Sequence, residues 1–344
     1  MPHPRRRRDR AFDLDQSSLA RRYDPRVRKL VFVIVAAMVP AALLAIVLIG
    51  YDYYDRERTR LARDSLATTR ALLAAVDFEL IGARSALFAL ATSPHLSSGD
   101  LAAFHGQAKE ALKDQTLANI VLIDEAGRQL VNTLQPFGSA LPARGNPEDL
   151  QRIFRTGEAV VTDLFIGPVV KTPLIAVGVP VKRGGKVLYS LNAGVAPDRL
   201  SALLAQQRLP PGWIAGVFDR SGTIVARTHD AQRLTGQKGS PELVRSMREV
   251  AEDAIETRTV EGIAVLTVFS RSPVSGWTVA IGIPQRELMA NLFSSMARLF
   301  VVGFIALASA LGLAFAIGGR FLRQPSSGQS PSGSSIEASS SRGR

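Results

Sequence analysis

Two runs of the chain carry no charge and almost no polar side chain: Leu30 to Gly50 and Leu299 to Gly319. Each is close to the ~20 apolar residues that take a helix across a bilayer, so spans are expected at 30–50 and 297–319. Pro40 is compatible with a spanning helix, where neighbouring groups satisfy the freed carbonyl. Ala37, Ala41 and Ala45 share one helix face, as do Ala308, Gly312 and Ala316, a spacing that lets spans approach closely. From Tyr54 to Ala91 the pattern changes. Leu61, Leu66, Leu72, Leu73, Val76, Leu80, Leu87 and Leu90 recur at threes, fours and sevens, with Arg and Asp between them, no proline and one glycine. This predicts a long amphipathic helical segment over 51–97, closed by the breaker-rich TSPHLSSGD.

Beyond it, short β-rich runs alternate with turns. NIVLIDEAGRQLVNT reads as strand, turn, strand, and PEDLQRIFRTG as a short helix. PLIAVGVPVKRGGKVLYSLNAGV gives two strands around Gly184 and Gly185, and PDRLSALLAQQRLPPG a connecting helix. The order then recurs. In GVFDRSGTIVART, Asp219, Gly222, Val225 and Thr228 hold the offsets of Asp124, Gly127, Leu130 and Thr133. SPELVRSMREVAED follows as a helix, with Ser240 as cap and Pro241 at its first position. GIAVLTVFSRSPVSGWTVAIGIP closes the unit with two strands around Ser275 and Gly276. Each unit is strand, strand, helix, strand, strand, so two tandem modules are expected, at 98–200 and 201–288.

The formal net charge of +12 looks like a nucleic-acid signal until it is located. Residues 1–29 hold ten basic residues against four acidic ones, and residues 320–344 hold four arginines against Glu337. The excess sits beside the apolar runs. There the positive-inside rule puts both termini in the cytoplasm and residues 51–298 outside, with no nucleic-acid partner. The alternative, a cleaved leader, is disfavoured by the length of the first run and by the absence of an A-x-A site after Gly50. The chain has no cysteine, which removes disulfides, thiolate zinc sites and a Cys nucleophile. His3, His95, His105 and His229 have no metal-ligand spacing, and turn or surface positions are expected for His95 and His105. There is no G-x-S-x-G, P-loop or G-x-G-x-x-G. Trp213 and Trp277 read as core. No catalytic residue, metal or cofactor is expected.

A long helix leaving a span, two small modules in tandem and a second span resemble the double Cache (dCache) sensor regions of bacterial receptors. The stretch GWIAGVFDRSGTIVART, with GQKGSPELV and EGIAVLTVFSRSPVSGWTVAIGIP, is similar to the membrane-proximal module of alphaproteobacterial sensor histidine kinases. The resemblance covers about residues 51–320. It implies an α+β fold: two PAS-like Cache modules on a long N-terminal helix, flanked by two transmembrane helices. It also implies a multi-pass inner-membrane protein with a periplasmic sensor, a homodimer, and a small-molecule ligand in the first module, in a pocket between the long helix and the sheet. The matching residues are Asp163, Phe165, Lys171, Tyr189 and Asn192. Many amino-acid-binding members carry an Asp where Asn192 stands, and an amide cannot form the same ion pair with an amine. Lys171 would suit a carboxylate.

In such kinases the second span leads into a signalling core. Here GGRFLR begins like that linker, but QPSSGQSPSGSSIEASSSRGR loses all periodicity and reads as disordered, with no phospho-acceptor His or nucleotide-binding glycines. Two readings stay open. One is a sensor half severed from its kinase by a frameshift after Arg323. The other is a stand-alone Cache protein acting through a membrane partner. The sensor region of a chemoreceptor or a diguanylate cyclase is a further alternative.

Overall fold

One helix, α1 (Pro25–Ala91), runs 67 residues without a break, with Pro40 inside it. At ~1.5 Å per residue it is roughly 100 Å long. The computed structural model describes residues 25–113, 117–142 and 147–286, and beyond them 297–298, 300–305, 308–309 and 312. The basic segment 1–24, most of the expected second span and the tail 320–344 lie outside the described residues. The chain divides into two compact units, Met1–Ala290 and Asn291–Arg344. In the latter the described residues are helical, and Phe300, Val301, Val302, Phe304 and Ile305 are exposed. The expected first span, 30–50, is continuous with the rest of α1. Among the described residues no helix is long and apolar enough to cross a membrane; many side chains of both expected spans fall outside them.

On the outer half of α1, Ser65, Thr69, Leu72, Val76, Leu80, Ala83, Leu87 and Leu90 are buried. Their steps of three and four trace one helix face. After α1, Ser93 caps α2 (Pro94–Ser98) and Asp100 caps α3 (Leu101–Leu112), its carboxylate accepting from the Ala103 amide at 3.0 Å. The strand pattern expected after residue 97 therefore begins only after two further helices. His105 is not a surface residue: it is buried on α3, its Nε2 2.9 Å from the Gln135 carbonyl.

The first module contains β1 (Asn119–Asp124), β2 (Gln129–Asn132), α4 (Pro147–Thr156), β3 (Val160–Val161), β4 (Phe165–Ile166), β5 (Pro173–Arg183) and β6 (Lys186–Val195). After α5 (Pro197–Gln206), the second contains β7 (Ile214–Phe218), β8 (Ile224–Arg227), α6 (Ala231–Leu234), α7 (Pro241–Glu249), β9 (Glu252–Arg258), β10 (Ala264–Arg271) and β11 (Thr278–Pro284). The antiparallel sheets run β2-β1-β6-β5-β3, with β4 also on β5, and β8-β7-β11-β10-β9. They have one topology, with a strand after each module helix that the periodicity does not reveal. β3 has two residues. β9 is charged, and the expected helix extended into it; α7 stops at Glu249.

The repeated offsets have a physical reading. Gly127 and Gly222 adopt φ of 82° and 79° and donate to the carbonyls of Asp124 and Asp219, both at 2.9 Å. A side chain resists that conformation and glycine does not. At the far end of each hairpin, Thr133 Oγ1 accepts from the Ile120 amide and Thr228 Oγ1 from the Ala215 amide. A β-bulge falls at the same place in both, after Leu122 and after Val217.

Alternation gives each sheet two faces. Ile120, Leu122, Ile175, Val177, Leu191 and Ala193 of the first sheet share a core with α1, α5 and the second sheet's Val217, Leu266, Val279 and Ile281. One hydrophobic core thus joins both modules to one helix. On the opposite faces, α4 contributes Ile153 beside Ile123 and Val160, while α7 contributes Leu243 and Met247 beside Phe218 and Phe269.

Candidate ligand-binding site

The face of the first sheet turned away from α1 is not closed by large side chains. Asn119 pairs with Gly194, and Gly194 with Ala176; in the next row Asn192 pairs with Val121 and Gly178. Added Cβ atoms would lie 2.3 Å from Asn119 Oδ1 at Gly194 and 2.4 Å from Asn192 Oδ1 at Gly178. The amides therefore lie flat over glycine backbone, and a cavity remains above them. With the solvent at its mouth it encloses about 560 Å³. Asn119, Asn132 and Asn192, Thr162, Phe165 and the flap residues Gly167–Val170 line it.

Its polar surface is an amide network. Asn132 Nδ2 donates to Gln129 Oε1 at 3.0 Å, and its Oδ1 accepts from the Leu134 amide at 3.1 Å. Asn192 donates to the carbonyls of Ser190 and Val121 and accepts from Ser190 Oγ at 3.0 Å. Asn119 is 5% exposed, and its Oδ1 has no hydrogen-bond partner. An unmet buried acceptor is costly and calls for a donor. Among the described residues, none lining this cavity is charged.

The cover is a short flap. β4 pairs with the start of β5, Phe165 opposite Leu174. Between them the Lys171 amide donates to the Gly167 carbonyl and the Gly167 amide to the Thr172 carbonyl, both at 2.9 Å. The flap's root is tied to the second module. Asp163 accepts from Arg220 Nε at 2.8 Å, and Arg220 Nη2 reaches both oxygens of Asp149 on α4 at 3.1 Å. The Leu164 amide donates to Asp219. Burial pushes the Asp163 carboxyl above its ordinary range, against the opposing pull of Arg220.

Of the five residues expected at a site, the structure brings two into this cavity, Phe165 and Asn192. Asp163 is spent on Arg220. Lys171 lies exposed at the flap's tip with φ of 56°. Tyr189 points to the α1 side, packed against the shared core. The expected pocket lies between the long helix and the sheet; there the sheet packs on α1 through Leu, Ile and Val, and the cavity described above opens on the opposite face. Asn119, Asn132 and Thr162 were missed. Asn119 left a signal, as a polar residue between Ala118 and Ile120 at the head of an apolar strand; Asn132 and Thr162 stand beside Thr133 and Asp163 and left none.

No protein-family model matches the chain, and no curated protein is similar to it. Solved structures are. The extracellular domain of mmHK1S-Z3, assigned as a histidine kinase, is 16% identical with a TM-score of 0.54, over 68% of this chain and 98% of that one. Methyl-accepting Chemotaxis protein X is 15% identical with a TM-score of 0.53, over 66% and 98%. The chain has the double Cache fold. The ligand-binding domain of the Pseudomonas fluorescens chemoreceptor CtaA, solved in complex with L-isoleucine, is 13% identical with a TM-score of 0.50, over 69% and 97%.

The second Cache module is held to α1 by polar contacts as well as by the core. Arg70 Nε donates to Glu252 Oε1 at 2.9 Å, and Tyr54 and Arg58 meet Glu256 at 3.2 and 3.3 Å. Hydrogen bonds from Arg70, then from Ser270, bring the Glu252 carboxyl down to about 2. Asp77 of α1 accepts from Ser272 Oγ at 2.7 Å. Burial nonetheless pushes its carboxyl up.

Proposed function

We propose that this chain is a membrane-anchored, extracytoplasmic small-molecule sensor for transmembrane signalling, with the ligand in the cavity of the first Cache module. The observation that carries this reading is the flap. It closes an apolar cavity with unmet hydrogen-bonding capacity, and its root is bonded to the module clamped on α1. A ligand that changes flap geometry therefore acts on Arg220, then on the second module and α1. The shift requires different affinities for two states. Asn119, Asn132, Asn192, Thr162 and Phe165 are the proposed contacts. Since they are uncharged, recognition rests on hydrogen bonds and apolar contact.

The anchoring spans are 30–50 and 297–319, with 51–298 in the periplasm of an inner-membrane protein. Supporting this, Val33, Leu43, Leu44, Val47, Leu48 and Ile49 of α1 are exposed, an apolar surface suited to lipid. The protein acts as a homodimer through α1. Ala67, Ala71, Ala74, Phe78, Gly82, Ser85 and Ala89 form a second stripe at threes and fours, exposed on the face opposite the core. The output belongs to a histidine kinase, and a chemoreceptor-type output is the alternative.

The test is ligand binding to the purified full chain in lipid nanodiscs. A panel of amides, polyols, amino acids and carboxylates is screened by thermal shift, then by calorimetry. At least one class is expected to bind, with affinity falling tenfold or more in Phe165→Ala. Binding that ignores Phe165→Ala would remove the cavity from the reading.

A further inference from the structure

The repeat that duplicates the fold also duplicates the cavity. By the shared hairpin offsets, Asn119, Val121 and Asn132 of the first module correspond to Ile214, Gly216 and Arg227 of the second, and all six line cavities. Gly194 opposite Asn119 and Gly282 opposite Ile214 complete the match. The linings differ in charge: Arg227 stands where Asn132 does, and Arg258 also borders the second cavity, while the described lining of the first is uncharged.

We propose that the second module holds a binding site of its own, for a short aliphatic carboxylate whose carboxylate group replaces Glu261 on the buried Arg227. Arg227 is 5% exposed. Its Nη2 donates to Glu261 Oε2 at 3.0 Å, while Nη1 lies 2.7 Å from Oε1 without making a hydrogen bond. Ser240 Oγ, also lining the cavity, is buried and has no partner. Thr257 and Thr267 bond each other at 2.7 Å. Beyond this polar end lie Ile214, Phe218, Leu243 and Val265. A planar guanidinium matches a carboxylate with two parallel bonds, and the apolar remainder fits a short alkyl chain.

Glu261 resembles a stand-in for that ligand. It sits on the turn between β9 and β10, with a side chain 20% exposed, so its carboxylate has a path to solvent. The sheet does not need it there. Thr259 and Gly262 close the turn through the backbone, at 2.9 Å. A buried ion pair returns little net stability against the cost of desolvating it, so stability alone does not account for placing one inside a cavity. The site also touches the signalling path. On β9, Thr257 faces the cavity, while Glu252 and Glu256, on the other face, hold Arg70, Arg58 and Tyr54 of α1.

The test uses the full chain in nanodiscs, with acetate, propionate and butyrate as probes. Glu261→Gln removes the internal competitor and is expected to bind propionate at least tenfold more tightly than wild type. The double variant Arg227→Met with Glu261→Gln is expected to lose binding. In wild type, saturating propionate is expected to shift the Glu261 side-chain carboxylate resonance as that group leaves Arg227; an unchanged resonance would overturn the proposal. So would a folded Glu261→Gln chain that binds none of the three probes or binds them no better than wild type. Binding that survives in the double variant would do the same. If Phe165→Ala abolished the propionate signal, the ligand would belong to the first module, and the second site would be rejected while the first stood.

Discussion

Arg220 serves two carboxylates from one turn. Its guanidinium joins Asp149 and Asp163 of the first module, and its backbone amide also points to Asp163, at 3.3 Å. Removing it leaves Asp163 half-buried and uncompensated. Arg220→Met is therefore expected to cost about 1–3 kcal/mol at neutral pH, the range for leaving a buried polar group unsatisfied. The pH dependence has a definite sign. Burial already raises the Asp163 carboxyl in the folded state, and loss of Arg220 raises it further. A group whose folded value lies above its unfolded value favours folding below the unfolded value and loses that contribution as pH rises through the folded one. The defect of Arg220→Met should thus shrink on acidification from pH 7 toward 5, and adding Asp163→Asn should rescue it at pH 7. Thermal melts of wild type and both variants check both. A defect that stays constant with pH, unrelieved by Asp163→Asn, would mean that Arg220 acts through packing instead.

At the scale of elements, what periodicity could and could not reveal follows from what each element touches. The outer half of α1 was legible because one face meets a continuous core, and the hairpins because Asp124/Gly127 and Asp219/Gly222 repeat a turn chemistry. β9 was hidden because it is an edge strand whose α1 face carries Glu252 and Glu256 for ion pairs, so it reads as the polar end of a helix. Only Phe165 and Asn192 of the first site were named in advance. Asp163 and Lys171 suggested ligand chemistry by residue type, but an ion pair to residue 220 leaves no mark in local sequence. The β9 contact with α1 carries its own prediction. The Glu252 carboxyl stands near 2 in the folded protein, below its ordinary value of 4.5. A depressed carboxylate stabilises above the unfolded value, and that contribution is lost as pH falls through the folded one. Wild type should exceed Glu252→Gln in melting temperature at pH 6, and the gap should close between pH 4.5 and about 2. The exposed stripe of α1 gives another test. The chain has no native cysteine, so Phe78→Cys introduces a single thiol at a position 77% exposed. If α1 pairs with a second copy along that stripe, mild oxidation should yield a covalent dimer, and Phe78→Glu should weaken association. A thiol that stays monomeric under oxidation would place the interface elsewhere.

At the scale of the molecule, two cavities share one helix through one core, and the two polar links lie at opposite ends of the second module's sheet. Arg220 in the β7–β8 turn receives the first module, and β9 hands on to α1. Adjacency of this kind is not itself coupling; coupling exists if a perturbation at one site biases the other. The measurement is amide exchange of β9 in the full chain, with and without a ligand of the first cavity found by the screen. Binding is expected to change protection across Glu252–Arg258, a strand with no contact to that cavity. In Arg220→Met the ligand should still bind, because Arg220 does not line the site, yet the response of β9 should fall severalfold. Retained binding with a lost response separates transmission from recognition, which a loss of both would not. If β9 responds equally in the variant, the signal passes through the shared core instead, and Leu80→Ala becomes the informative change. That substitution opens space between both sheets and α1, at about 2–5 kcal/mol for a buried leucine, and should weaken the response while Phe165 and the amides stay in place.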